Sequence, residues 1–332
     1  MHALHAAEDR WADFYPDAIT PSEVSSRAGY EPTCMTSGMM CRRDTNIGQM
    51  ELLKGSILLT GANGGLGCGI VRRIITTPEL LRYHGIYFVR DAQHATALKA
   101  TLANAPNSYS YQIISLDLAR LPDVRGIAQD LQARIAGASV EHPHHLLDGH
   151  YKEDKWKIFF RQDNLDAIVH GQWSTNGDAV LARHAGTRRY GVAKMCAVMM
   201  VAELQRRLDA DPVLKRVSIA GIDPGAMGTG LTRRSNWFTR VLLWPIVVPI
   251  LALFLTWLDR NGHVRTIRKS AGDVLAAAFE AGDEVRGKLL NGSEVADVVP
   301  EAADVQKRLM VWRDSVKYAE LEEQDTILTQ WK

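Results

Sequence analysis

At 332 residues with 46% hydrophobic and 23% charged side chains, the chain can bury one or two cores, and a single α/β domain of this length is ordinary. Its formal net charge is +1 with lysines and arginines scattered, which excludes a nucleic-acid partner; Arg188-Arg189 and Arg233-Arg234 read as solvated faces. Cys34, Cys41, Cys68 and Cys196 show neither CxxC spacing nor paired histidines, which favours reduced thiols and a cytoplasmic location over disulfides or zinc.

Residues 1–49 mix His, Glu, Asp, Pro and Ser without sustained periodicity. They contain acidic residues and no apolar core segment, so they fit neither a secretory signal nor a transit peptide. Disorder, or an upstream extension from gene prediction, is expected there, with Met50 as the natural start of a single domain over 50–332. Ser56-Ile57-Leu58-Leu59-Thr60 is a β-leaning apolar run that ends in Gly61-Ala62-Asn63-Gly64-Gly65-Leu66-Gly67, and Cys68 to Ile75 then turns to helical spacing. Strand, glycine turn and helix in that order suit a pyrophosphate. Gly61 and Gly65 can take positive φ, Gly67 permits close packing of helix on strand, and the helix N-terminus offers unpaired N–H groups. No Gly-Lys-Ser/Thr closes the loop, which excludes a P-loop.

Gly85 to Val89 reads as the second strand, followed by Arg90 and Asp91. At the end of that strand in a dinucleotide fold, an acid hydrogen-bonds the ribose 2′-hydroxyl whereas an arginine accommodates a 2′-phosphate, and Arg90 coming first favours NADP(H) over NAD(H). Ser110 to Leu116 reads as the third strand, and Asp117 is placed to cap a helix over Pro122 to Ala136 with the stripe Val124, Ile127, Ala128, Leu131 and Ile135. After that helix a βαβ unit of about 30 residues is expected, yet only 22 positions separate Asp117 from Ser139. The histidines 142, 144, 145 and 150 lack acidic or thiolate partners at ligand spacing and form a polar loop, so no metal is expected. Ala167-Ile168-Val169 reads as strand-like.

Tyr190 and Lys194 stand four apart on one helix face, so the ammonium is expected to pull the phenol pKa down and make Tyr190 a general acid or base. Asp223-Pro224-Gly225-Ala226-Met227-Gly228-Thr229 follows. Residues 241–258 carry no charge, near the lower limit for crossing a bilayer, but Pro245 and Pro249 are expected to break a short helix twice. Three readings stay open for this segment: an apolar lid over 230–262, monotopic membrane contact, and a span. Ser270 to Phe279 reads as a helix, Lys288 to Gly292 as a last strand and turn, and Asp304 to Leu321 as an amphipathic helix.

Thr60-Gly61-x-x-x-Gly65-x-Gly67, Asp117-Leu118, Tyr190-x-x-x-Lys194 and Pro224-Gly225-x-x-x-Thr229, in this order over about residues 50 to 300, resemble the short-chain dehydrogenase/reductase family, and within it the retinol-dehydrogenase-like and fungal biosynthetic reductases. The resemblance implies a Rossmann-type doubly wound parallel sheet in three αβα layers, reducing a carbonyl or oxidising a secondary alcohol on a lipophilic small molecule of secondary metabolism. It makes Tyr190 the proton donor and Lys194 its partner on the nicotinamide ribose. Gly61, Asn63, Gly65, Leu66, Gly67, Arg90, Asp117, Leu118, Met227 and Thr229 complete the cofactor-binding set. Ser139-Val140-Glu141-His142 resembles the Ser-x-x-His around the catalytic serine; Ser174 is the alternative, and Ser139 is preferred.

The chain departs from the family in having no Asn-Asn-Ala-Gly, the motif that ends the fourth strand. Strands 4 and 5 are therefore expected to be missing, and the rival reading is a truncated, non-catalytic dinucleotide-binding protein or an incomplete gene model. No motif assigns an oligomeric state.

Overall fold

A computed structural model describes residues 53–132, 140–141, 165–170, 185–228 and 247–332. The chain divides into two units, residues 1–55 and 56–332, and of the first only Leu53, Lys54 and Gly55 are described. The leader 1–49, the histidine loop, Ser139, Ser174, Thr229 and the lid residues 230–246 lie outside the described residues.

Alternation of short apolar runs with helical stripes builds an α/β fold. β1 (Gly55–Thr60) ends in the glycine turn, and α1 (Gly65–Thr76) returns over the sheet with Ile70, Val71, Ile74 and Ile75 buried. β2 (Tyr83–Val89) buries every residue from Gly85 onward, α2 (Thr96–Leu102) follows, and β3 (Tyr111–Ser115) pairs parallel with β2, Gly85 against Tyr111 through Val89 against Ser115. α3 spans Leu121–Gln132. The first sheet has the order β1-β2-β3.

The second sheet has the order β4-β5-β6-β7. β4 (Val140–Glu141) and β6 (Leu289–Asn291) flank β5 (Gly221–Asp223) in parallel, and β7 (Glu294–Ala296) closes an antiparallel hairpin on β6. Gly292 opens that two-residue turn with φ +65°, the left-handed value that favours glycine. Between β4 and β5 run α4 (Asp166–Val169) and the 26-residue α5 (Ala185–Ala210). After β5 come α6 (Val248–Leu258), α7 (Ile267–Phe279), then α8 (Pro300–Ala303) and α9 (Val305–Tyr318) behind β7.

One core joins the two sheets. Ile70, Val71 and Ile74 of α1 and Tyr87 and Val89 of β2 share it with Ile222 of β5, Leu290 of β6 and Ala271, Val274 and Leu275 of α7. Gly69 permits the close approach of α1 to α7, since a Cβ there would stand 2.4 Å from Ile267 Cγ2. A second cluster packs Val192, Met195, Val198 and Met199 of α5 against Val311 of α9 and Leu289 of β6.

The first strand is the exception to this burial. In a doubly wound sheet of order 3-2-1-4-5-6 the first strand lies inside, flanked on both edges. Here β1 neighbours only β2 among the described residues, and Ile57, Leu58 and Leu59 remain half-buried while β2 is sealed. β4, two residues long, pairs with β5 and not with β1. Among the described residues the open edge of β1 lies where the sequence leads one to expect a gap.

Three expectations need correction. Ala167-Ile168-Val169 is a single helical turn and not a strand, because three apolar residues carry no period and the Ile168 and Val169 N–H groups both close back on the Leu165 carbonyl at 2.9 Å. Pro249 does not break α6, because it falls in the first turn, where its missing N–H has no partner to lose. Gly65 takes the first position of α1, and Gly61 alone in the glycine turn has positive φ, at +66°.

Candidate functional site

The C-terminal ends of β1, β2 and β3 form one edge, and each carries residues of the expected cofactor set. At β1 the turn is closed by the Gly64 N–H donating to the Gly61 carbonyl at 2.9 Å, and the Cys68 N–H follows onto Gly64 at 2.8 Å. A Cβ on Gly67 would stand 2.4 Å from the Gly61 oxygen and 2.8 Å from Ala62 Cα, so helix and turn approach as only glycine allows. The N-terminus of α1 has no side-chain cap and no acidic residue in its first turn, which leaves its N–H groups and positive dipole end to an anion.

Asn63 has a role that the sequence does not announce. Its Oδ1 accepts the Leu98 N–H at 3.0 Å, serving the first turn of α2, whose own N-cap is Ala95 with no side chain to offer. Asn63 therefore ties the glycine turn to α2, and its carbonyl is committed within the protein.

At the end of β2, Arg90 and Asp91 part company. Asp91 accepts the Gln93 N–H at 2.8 Å, the His94 N–H at 3.2 Å and the His94 ring at 2.7 Å, and the His94 contact above all holds its carboxyl below the ordinary range. The Arg90 side chain is 86% exposed, its Nε 3.9 Å from Asp117 Oδ1 across to the end of β3. Asp117 also accepts the Ala119 N–H at 3.1 Å in a local turn. Asp117 is thus not seen capping α3, which begins at Leu121, its Oδ1 being given to Ala119 instead. Leu118 is exposed beside it.

Tyr190 and Lys194 share one face of α5, as their spacing requires. Lys194 Nζ stands 5.5 Å from the Tyr190 ring centroid, over the π face. The expected lowering of the phenol pKa is overturned. Partial burial, and after it the carboxylate of Asp223 at the end of β5, push Tyr190 above its ordinary value.

The Asp223-Pro224-Gly225 corner is held by a residue that sequence reasoning missed. Arg265, 1% exposed, donates to the carbonyls of Asp223 (2.8 Å), Gly262 (2.8 Å) and Asn261 (2.6 Å), and to the Asn291 side chain. Burial lowers its pKa, while Asp223, Asp273, Asp259 and Glu294 oppose that. Ser270 Oγ donates to the Pro224 carbonyl at 2.7 Å, and Asp223 Oδ1 accepts the Gly225 N–H at 2.8 Å. Gly225 has φ +71°, and a Cβ there would meet Arg265 at 3.2 Å. Met227 is buried just beyond. The only sequence signal for Arg265 is a lone arginine between Val264 and Ile267.

No family model matches the chain. The short-chain dehydrogenase iccH of Talaromyces variabilis is 34% identical over 363 aligned positions, covering 84% of this chain and 99% of that protein. The chloroplastic protochlorophyllide reductase of Daucus carota is 21% identical over 353 positions, covering 89% and 85%. An NADPH-bound short-chain oxidoreductase structure from Pseudomonas aeruginosa, with an atypical catalytic centre, matches 72% of this chain and 95% of its own at 12% identity and a TM-score of 0.45. Of the 363 positions aligned with iccH, 84% of a 332-residue chain fills about 279, so about 84 are occupied in the relative and empty here, against the ~30 or more that one βαβ unit takes. At 34% identity to iccH across 84% of its length, the chain belongs to the short-chain dehydrogenase/reductase family of oxidoreductases.

Proposed function

We propose that the chain is an NADP(H)-dependent oxidoreductase interconverting a carbonyl and a secondary alcohol on a lipophilic small molecule of secondary metabolism. The observation that carries the cofactor choice is the contrast at the end of β2. Asp91, occupied by Gln93 and His94, is poorly placed to take a ribose 2′-hydroxyl, whereas the exposed guanidinium of Arg90 suits a 2′-phosphate. The glycine turn fits the pyrophosphate: the space a Cβ on Gly67 would fill is closed by backbone, and the α1 N-terminus is uncapped.

When bound, the cofactor supplies or accepts the hydride at the carbonyl carbon. Tyr190 holds the proton at its Oη and gives it to the carbonyl oxygen. A phenol pushed above its ordinary value is protonated throughout the neutral range, the state that reduction needs, so the alcohol-oxidising direction, which needs phenolate, should rise with pH. Lys194 lies beside Tyr190 to serve the nicotinamide ribose, Ser139 or Ser174 donates to the substrate oxygen, and Met227 and Thr229 line the nicotinamide side. The apolar segment 230–262 supports a lipophilic substrate.

A second reading, dinucleotide binding without turnover in a shortened chain, is favoured by the half-buried β1 and the positions empty against iccH. NADPH titration with and without a panel of apolar ketones separates the two. Arg90→Ala should weaken NADPH by about 1.5–3 kcal/mol, tenfold or more, and barely affect NADH. Equal loss for both cofactors overturns the NADP(H) assignment. Tyr190→Phe should abolish turnover with NADPH affinity intact, and turnover that survives it overturns the proton-donor assignment.

A further inference from the structure

Helix α6 is built inside out. At 100° per residue, Val247, Ile250, Leu251, Leu253, Phe254, Trp257 and Leu258 fall within an arc of about 160°, and these are the exposed positions, each at least 41% accessible and Trp257 77%. Val248, Pro249, Ala252, Leu255 and Thr256 occupy the opposite arc and are half-buried or buried. The inward face even carries the helix's polar contact, Thr256 Oγ1 accepting the Thr266 N–H at 3.2 Å. A surface helix normally turns its apolar stripe to the core, and monomers rarely expose contiguous apolar patches above a few hundred Å2.

The surroundings identify what covers this face. Between Asp223 and Asp273, besides the buried Arg265 and the Lys269 that is paired with Asp273, the sequence has five basic residues, Arg233, Arg234, Arg240, Arg260 and Arg268, against the single acid Asp259, in a chain whose net charge is +1. Arg260 and Arg268 are exposed just past the helix. Trp237, Trp244 and Trp257 fall in the same stretch, the residue type that favours a membrane–water boundary. No described helix is long and apolar enough to cross a membrane. We propose that the outward face of α6 lies in the surface of an anionic phospholipid membrane, apolar side chains among the acyl boundary and the flanking arginines on the headgroups. The inference is independent of the catalytic assignment.

Flotation of the full chain with vesicles tests it. Binding is expected to vesicles of phosphatidylcholine with about one-third phosphatidylserine, and to weaken on the order of tenfold on pure phosphatidylcholine or between about 0.1 and 0.5 M salt. The double variant Leu253→Glu, Phe254→Glu should lose flotation with an unchanged melting temperature, since both side chains are exposed; Trp257→Ser with Leu258→Ser serves if the glutamates perturb folding. Arg260→Glu with Arg268→Glu should retain only the salt-insensitive part. Wild-type protein that fails to float, or variants that float equally well, overturn the proposal. So does a wild-type dimer that the glutamates convert to monomer without any vesicle binding, which assigns the face to a second copy.

Discussion

Gly67 shows how one missing methyl group decides the anion site. Its would-be Cβ meets two backbone groups, Gly61 O at 2.4 Å and Ala62 Cα at 2.8 Å, and backbone cannot swing aside as a long side chain can. At Gly64 the nearest atom is 3.1 Å away, a strain the turn can absorb. Gly67→Ala should therefore destabilise by about 1–3 kcal/mol in urea unfolding, and Gly64→Ala by less; equal effects would show that the turn relaxes as a whole. Tyr190 obeys the same logic of immediate surroundings. Its position four before Lys194 was legible in the sequence because helical spacing is local, but its pKa was not, because Asp223 approaches from a strand 33 positions away along the chain. Asp223→Asn should bring the Tyr190 phenol down, read as the ultraviolet titration step that Tyr190→Phe removes; an unmoved step would leave burial as the whole cause.

Among the elements, legibility follows the length of the pattern. β1, α1, β2 and β3 were read correctly to within a few residues because each is a sustained run bounded by turn residues, whereas α4 was mistaken for a strand from three apolar residues. α7 begins three residues earlier than expected, at Ile267, since Thr266 caps it by accepting the Lys269 N–H at 3.2 Å. The α2 start is the instructive case. Ala95 gives no capping signal, and the acceptor comes from Asn63 in the glycine turn. Asn63→Ala should cost about 1 kcal/mol of stability in chemical unfolding, the value of a lost cap. Should NADPH affinity fall far more than stability, Asn63 contacts the cofactor directly and its tie to α2 is secondary.

For the whole molecule the decisive feature is the coverage of β1. A gap is what the spacing leads one to expect, because a βαβ unit does not fit between Asp117 and Ser139 and a Rossmann sheet wants its first strand interior, and among the described residues β1 has only β2 as a neighbour. Local opening should then be easiest where a neighbour is lacking. Hydrogen exchange at Ile57 to Thr60 is expected to run faster than at Ile86 to Val89, and equal protection would show that β1 is covered as in an intact sheet. If this chain binds NADPH without turnover, a transcript carrying an additional exon between the codons for Gly137 and Ser139 should supply the strand and its longer product should turn over.

Arg265 has a consequence for how such a protein diversifies. Ala226 and Val264 are bridged, the Ala226 N–H reaches the His263 carbonyl at 2.7 Å and the Arg265 N–H returns to the Ala226 carbonyl at 2.9 Å, so the two ends of the excursion from 227 to 263 meet just beyond β5. A loop whose ends are pinned together can change length and composition at small entropic cost to everything outside it. The stretch between these ends can thus vary while the Asp223 corner stays pinned, and a new ligand or a new cellular surface could be acquired there, provided that what Met227 and Thr229 are proposed to give the cofactor site is kept.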